Sequence, residues 1–303
     1  MITSSNSYHY IRNCIGFLLI CIAHNFYAQN DLLMEAQKLC QEKKYEQAIY
    51  IIDKVVVHAE TKDDPAAWHI RSYAYIQTYK QINLPTQAKT YMLDTAMVSV
   101  QKSIKLDTKK EYYENNMAFI KSASSSYYKL ATILLKDSLN DVKADTNYFK
   151  YKKYYGIYSP EFDFKEKDIG YYTAKGSLFA ELYIKNNFNQ RYGDVAKAAL
   201  LKVLELDPKN ISANMNLGVL YYNQGATLMR MMDYDIDLSQ LDVIQENAKK
   251  LFKQSLPFMI KVYELNPNES KALEGLEGIY NALLDEAKAN EFKQKKEENQ
   301  KQK

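Results

Sequence analysis

Asp233, Asp235 and Asp237 alternate in one short stretch, and carboxylates converging from a single loop are what a hard divalent cation requires. The rest of a calcium loop is missing. Leu238 stands where the sharp turn needs glycine, Leu241 offers no side-chain oxygen, and Ile244 replaces the bidentate acid, with Glu246 two residues too late. The stretch reads instead as a polar loop before a helix, with Ser239 as the cap and Asp242 closing a capping box. Beyond the first 28 residues the only histidines are His58 and His69, neither with a metal-spaced partner. Cys40 follows Leu39 among ordinary packing residues and reads as a buried structural thiol rather than a nucleophile. Asp63-Asp64 before Pro65 is helix-start chemistry. No glycine-rich phosphate loop and no strand-turn-helix nucleophile motif occurs. The residues therefore imply a protein that is not an enzyme and that needs no metal and no cofactor.

Tyr148, Tyr151, Tyr154, Tyr155 and Tyr158, with Lys150, Lys152 and Lys153 among them, form the densest aromatic stretch, and Ser159-Pro160-Glu161-Phe162-Asp163-Phe164 follows it. Tyrosine gives a large contact area at low entropic cost, so the stretch is a candidate contact surface for a protein, or for sugars that stack on the rings. The competing reading is that the rings pack between neighbouring helices. Interleaved lysine and tyrosine also fits single-stranded nucleic acid. Against that stand 40 Lys+Arg balanced by 37 Asp+Glu, a net charge of only +3.

The N-terminus has the pattern of a secretion leader. Arg12 precedes an apolar run from Cys14 to Ala23, and Ala28 offers a small residue for cleavage before Gln29. The run is too short for the roughly 20 residues that cross a bilayer. Residues 1–28 are thus expected to be removed, leaving a protein that is not membrane-integral and that lies in the periplasm or at the outer surface. A lipoprotein anchored through Cys21 is disfavoured by Ile20, where a small residue is wanted. Removal also takes Cys14 and leaves Cys40 without a disulfide partner, so stability rests on packing.

The elements that position these residues are helices. Glycine (9) and proline (6) are scarce for 303 residues, which disfavours a turn-rich β fold. Leu106-Asp107-Thr108, Leu206-Asp207-Pro208 and Leu265-Asn266-Pro267 repeat one helix ending. Upstream of the three endings, at matching distances, lie Ala96, Ala196 and Ser255, then Val100, Leu200 and Met259, then Ser103, Val203 and Val262. Steps of four and three describe one helix face approaching its neighbour closely. A second pattern opens the hairpins: Asn214-x-x-Leu217-Gly218-x-x-Tyr221, Leu273-x-x-Leu276-Glu277-x-x-Tyr280, Trp68-x-x-Arg71-Ser72-x-x-Tyr75 and Leu32-x-x-Glu35-Ala36-x-x-Leu39, the last running into Tyr45, Ala48, Ile52 and Val55.

These residues resemble the tetratricopeptide repeat (TPR), whose first helix reads large-x-x-Leu-Gly-x-x-Tyr and whose second carries Ala, aromatic, Ala and Pro. The repeats are irregular, because the step between paired small positions grows from 12 residues (Ala36 to Ala48) to 37 (Gly218 to Ser255). The resemblance implies an all-α, right-handed α-solenoid of about five hairpins, at about 29–62, 65–108, 109–158, 167–208 and 209–267. A cap starts at 268, and residues 291–303 read as a charged, solvated tail. It also implies a binding groove lined by first helices. Position by position, that groove is His69, Tyr73, Ile76 and Gln77 in one hairpin, and Met215, Val219, Tyr222 and Asn223 in another. Chaperone-binding members hold a terminal carboxylate with Lys, Asn and Arg. Leu33, His69 and Met215 stand there instead, with Gln37, Tyr73 and Val219 beside them, so that clamp is absent. The expected function is a non-catalytic scaffold of the bacterial envelope that binds a protein or peptide segment and no nucleic acid. A glycan-binding protein using the tyrosine stretch, or a structural subunit of an envelope complex, is the alternative.

Overall fold

The computed structural model describes residues 30–81, 86–137, 140–230 and 237–301. The leader, with Cys14 and Cys21, lies outside the described residues, as do Asp233 and Asp235. Among the described residues there are twelve helices and no strand: α1 (30–41), α2 (Tyr45–Val55), α3 (Pro65–Gln81), α4 (Thr86–Leu106), α5 (Tyr113–Leu135), α6 (Asp141–Tyr158), α7 (Lys165–Lys185), α8 (Gln190–Leu206), α9 (Ile211–Arg230), α10 (Leu238–Leu265), α11 (Ser270–Ala282) and α12 (Glu286–Lys301). None of them is long and apolar enough to cross a membrane.

The chain divides into two compact units, residues 1–162 and 163–303. In the first, Ala36 of α1 packs with Ile52 and Val55 of α2 and Ala67 of α3. Helix α3 pairs with α4 and α5 with α6, and α4 packs on α5. In the second unit α7 pairs with α8, α9 with α10 and α11 with α12, while α9 also contacts α7, α8 and α11. Each unit is thus a stack of antiparallel helical hairpins in which every hairpin buries the face its neighbour leaves open.

Small residues set the spacing within the hairpins. Ala96, Ala196 and Ser255 are fully buried. A Cβ on Gly176 would lie 2.5 Å from Leu200 Cγ, and one on Gly218 would lie 2.8 Å from Met259 Cγ, so glycine is what admits the facing side chain. The Ser255 hydroxyl donates to the Gly218 carbonyl at 2.6 Å, stitching α10 to α9.

The helix endings share one backbone geometry. Asp207 (φ −142°, ψ 88°) and Asn266 (φ −144°, ψ 86°) each leave the helix extended, with the N–H still donating to the carbonyl four residues back. Ser159 after α6 does the same (φ −136°, ψ 86°), so Tyr158-Ser159-Pro160 is another copy of the ending, unmarked by leucine or an acid. At the other end, the Asp64 carboxylate accepts the Ala66 amide across Pro65 to start α3.

Two expectations are corrected. The cap of α10 is Asp237, whose carboxylate accepts the Gln240 amide at 2.9 Å, while Ser239, already inside the helix, donates its hydroxyl to Asp237. The tail expected to be solvated from residue 291 is instead most of α12. Phe292 and Asn299 are buried there, and the Lys296 ammonium pairs with Glu277 of α11.

Candidate functional site

Of the polar residues that read as candidate chemistry, His69 is a joint between helices, while Asp64 and Asp237 cap helix starts. His69 of α3 donates from Nδ1 to Asn116 Oδ1 of α5 at 2.8 Å. Asn116 Nδ2 donates to Ser103 Oγ of α4, and the Ser103 hydroxyl donates to the Pro65 carbonyl where α3 begins. That relay closes a triangle of three helices. The imidazole also stacks on Phe119 at 5.3 Å, and burial pushes its pKa down against the opposing effects of Asn116 and Asp107.

Two acids on second helices act as further joints. Asp53 of α2 accepts Arg71 Nε at 2.7 Å and the Tyr75 hydroxyl at 2.8 Å, both from α3. Asp94 of α4 accepts the Tyr127 hydroxyl of α5 at 2.7 Å and the Lys150 ammonium of α6 on both oxygens. Burial, reinforced by Asp94, drives the Tyr127 phenol far above its ordinary pKa, so this hydroxyl remains a donor. Nothing in the sequence paired Asp53 with Tyr75 or Asp94 with Tyr127. The only signal was acids recurring on second helices and tyrosines on the first helices that follow.

The groove residues do not form one open surface. Ile76 is 2% exposed and belongs to the core with Tyr75 and Ala96. Tyr73 packs edge-on to Tyr45 at 6.0 Å and keeps part of its surface, as does Gln77. Met215 and Val219 pack on the cluster of Met259, Leu273, Leu276 and Ile279. The Tyr222 ring lies 5.5 Å from that of Phe252 and its hydroxyl faces Gly278, while Asn223 is half-buried. Tyr73, Ile76 and Tyr222 thus pack on second helices as well as first, while Tyr222 also reaches α11.

The tyrosine stretch is likewise corrected. Tyr148, Tyr151 and Tyr154 are core residues, 2%, 5% and 7% exposed. Tyr128 of α5 packs against Tyr148 and Tyr151, and Tyr127 against Tyr154. Tyr155 and Tyr158 keep some surface, but Tyr155 meets Phe162 and Tyr158 lies under the Lys121 ammonium. The α5–α6 hairpin is zipped by tyrosine–tyrosine pairs. Cys40 is buried, and desolvation raises its thiol to about 11. Among the described residues no group of three His, Cys, Asp or Glu is placed to hold a metal ion.

The first-helix and second-helix patterns, the glycine contacts and the shared endings all sit on paired antiparallel helices. The hairpins are tetratricopeptide-like. No family model matches the sequence, and no curated protein does. Solved structures similar to the chain include the C-terminal part of a TPR repeat-containing protein from Cytophaga hutchinsonii, 14% identical with a TM-score of 0.32, over 87% of this chain and 93% of that one. PilW, a type IV pilus biogenesis factor, is 16% identical with a TM-score of 0.29, over 88% and 90%. An IFIT1 monomeric mutant with Gppp-AAAA is 15% identical with a TM-score of 0.35, over 84% of this chain; the match spans 46% of that one. The fold assignment rests on the hairpins themselves.

Proposed function

We propose that the protein is a non-catalytic scaffold, exported to the bacterial envelope by its leader, that holds an apolar or amphipathic segment of a partner protein. One observation carries the reading: large apolar side chains stand in solvent on helices whose own cores are complete. Tyr91 and Val98 of α4 are 60% and 57% exposed, and Val142 and Phe149 of α6 are 71% and 67% exposed. Members of each pair are seven residues apart, two helical turns, so each pair forms a stripe along its helix. Apolar stripes on rigid helices are surface that a partner segment covers at low entropic cost to the scaffold. Tyr73 and Gln77, and separately Asn223, stay in the reading as polar contact positions, while Ile76 does not. Affinity of about micromolar suits a transient interface of standard or smaller size.

Site-specific photocrosslinking in living cells tests this. A photoreactive residue at Tyr91, Val98 or Phe149 is expected to yield one discrete adduct with an envelope protein, and exposed Lys250 is expected to yield none. Absence of any adduct, or equal labelling from Lys250, overturns the scaffold reading. N-terminal sequencing of the fractionated protein is expected to begin at Gln29; an intact leader in the cytoplasm removes the envelope assignment.

A further inference from the structure

Helix α10 opens with turns that its own unit leaves in solvent. None of residues 238–247 is buried, and the packed face starts at Ala248. Gly225 of α9 meets Ala248 and Phe252, so in antiparallel order Arg230, the last residue of α9, stands near residue 243. The first turn of α10 therefore extends past the end of α9. Leu238 and Val243 are 80% and 60% exposed. Exposed Asp242 and Glu246 share their outward arc, and no lysine or arginine occurs from Met231 to Ala248. The segment is amphipathic and purely acidic.

Its complement stands on the outer faces of α4 and α6. These helices are tied by Lys150, whose ammonium meets both Asp94 oxygens. Tyr91 and Val98 on α4, and Val142 and Phe149 on α6, are the apolar pairs that stay in solvent. Exposed Lys105 lies seven residues after Val98, and exposed Lys153 four after Phe149, so each lysine shares a face with its pair. Among the described residues neither ammonium pairs with a carboxylate. One surface is apolar and basic, the other apolar and acidic.

Building on the scaffold reading, we infer that the segment held on α4 and α6 is the start of α10 from a second copy of this chain. Leu238 and Val243 lie on the apolar pairs, and Asp242 and Glu246 face Lys105 and Lys153. Ten residues of helix span about 15 Å, against about 10 Å between residues seven apart on the host, so one segment covers a pair and reaches its lysine. Like surfaces do not pair, because two acidic helices or two lysine-edged faces repel. The contact joins unlike surfaces, so copies either exchange segments in a closed pair or add head to tail. Its area is at the small end of specific interfaces, which suits association at about 10–100 μM.

Sedimentation velocity of the full chain from about 1 to 300 μM tests this. The average mass is expected to rise with concentration and to fall back at high salt. Asp242→Lys with Glu246→Lys is expected to weaken association at least about tenfold, and so is Lys105→Glu with Lys153→Glu. An equal mixture of the two reversed chains is expected to associate again, since each then offers the other a complementary surface. Should a reversed chain misfold, Leu238→Ser with Val243→Ser, which keeps every charge, decides by its own loss of association. A mass that stays at one chain throughout, indifference to the substitutions, or no recovery in the mixture overturns the inference. In cells, the adduct at Phe149 is expected to have twice the mass of the chain and to carry the α10 peptide. Lys250 lies a turn beyond Glu246, outside the docked segment, and remains the unlabelled control. An adduct with a different protein overturns this inference and leaves the scaffold reading standing; no adduct sinks the scaffold reading itself.

Discussion

His69 reads in the sequence as a groove residue and proves to be a joint, because its hydrogen-bond partner Asn116 lies 47 residues away in another hairpin. Sequence spacing cannot register such a pairing. Its depressed pKa has a consequence in acid. The unfolded chain takes up a proton near the ordinary value of 6.5, whereas the folded chain resists it, so stability is full above that value and falls as the pH drops through it. Lowering the pH from 7.5 to 5.5 is expected to reduce the melting temperature of the native protein more than that of His69→Asn; equal losses would mean that His69 is not the group involved. Cys40 was legible from its neighbours as a packing residue, and its thiol is raised to about 11 by burial. Iodoacetamide at pH 8 is expected to spare Cys40 in the folded protein and to label it fully in denaturant, read by peptide mass spectrometry.

At the scale of the helix, the parts that were legible are those that local chemistry dictates. The Leu-Asp and Leu-Asn endings lie at the C-termini of α4, α8 and α10, where Asp107, Asp207 and Asn266 carry the chain away from the axis. Asp107 goes further, accepting the amides of Glu111 and Tyr112 ahead of α5. The ending at Ser159 escaped notice because backbone geometry rather than side-chain type defines it. The tyrosine stretch misled through composition, although Tyr148, Tyr151, Tyr155 and Tyr158 fall at helical spacing, the signature of a packed face. Glycine gives a direct test of hairpin spacing. Gly176→Ala pushes a Cβ against the branched carbon of Leu200, which has little room to move, and is expected to cost about 1–3 kcal/mol. Gly170, on the same helix with nothing within 4 Å of its Cβ direction, supplies the control: Gly170→Ala is expected to stabilise by about 0.5–1 kcal/mol. Urea titrations that moved both variants in the same direction would refute the close approach of α7 and α8.

At the scale of the molecule, stability within each unit is a chain of neighbour-to-neighbour terms, since inside a unit each hairpin packs on those beside it. The joint at Asp94 is where this can be measured, because it ties three helices of one unit through a single carboxylate. Tyr127→Phe removes the phenol while leaving the buried ring against Tyr154, so the loss is confined to one charge-assisted hydrogen bond, about 1.5 kcal/mol. A single cooperative core would spread that loss over every helix. A stack of nearest neighbours concentrates it, since local opening follows the nearest weakened interface. Amide exchange in the variant is therefore expected to accelerate several-fold across α4, α5 and α6, with α9 to α12 keeping the native rates. Uniform acceleration through both units would show that the hairpins fold as one body and that the additive picture is wrong. Unchanged rates everywhere would show that Asp94 is held by Lys150 alone.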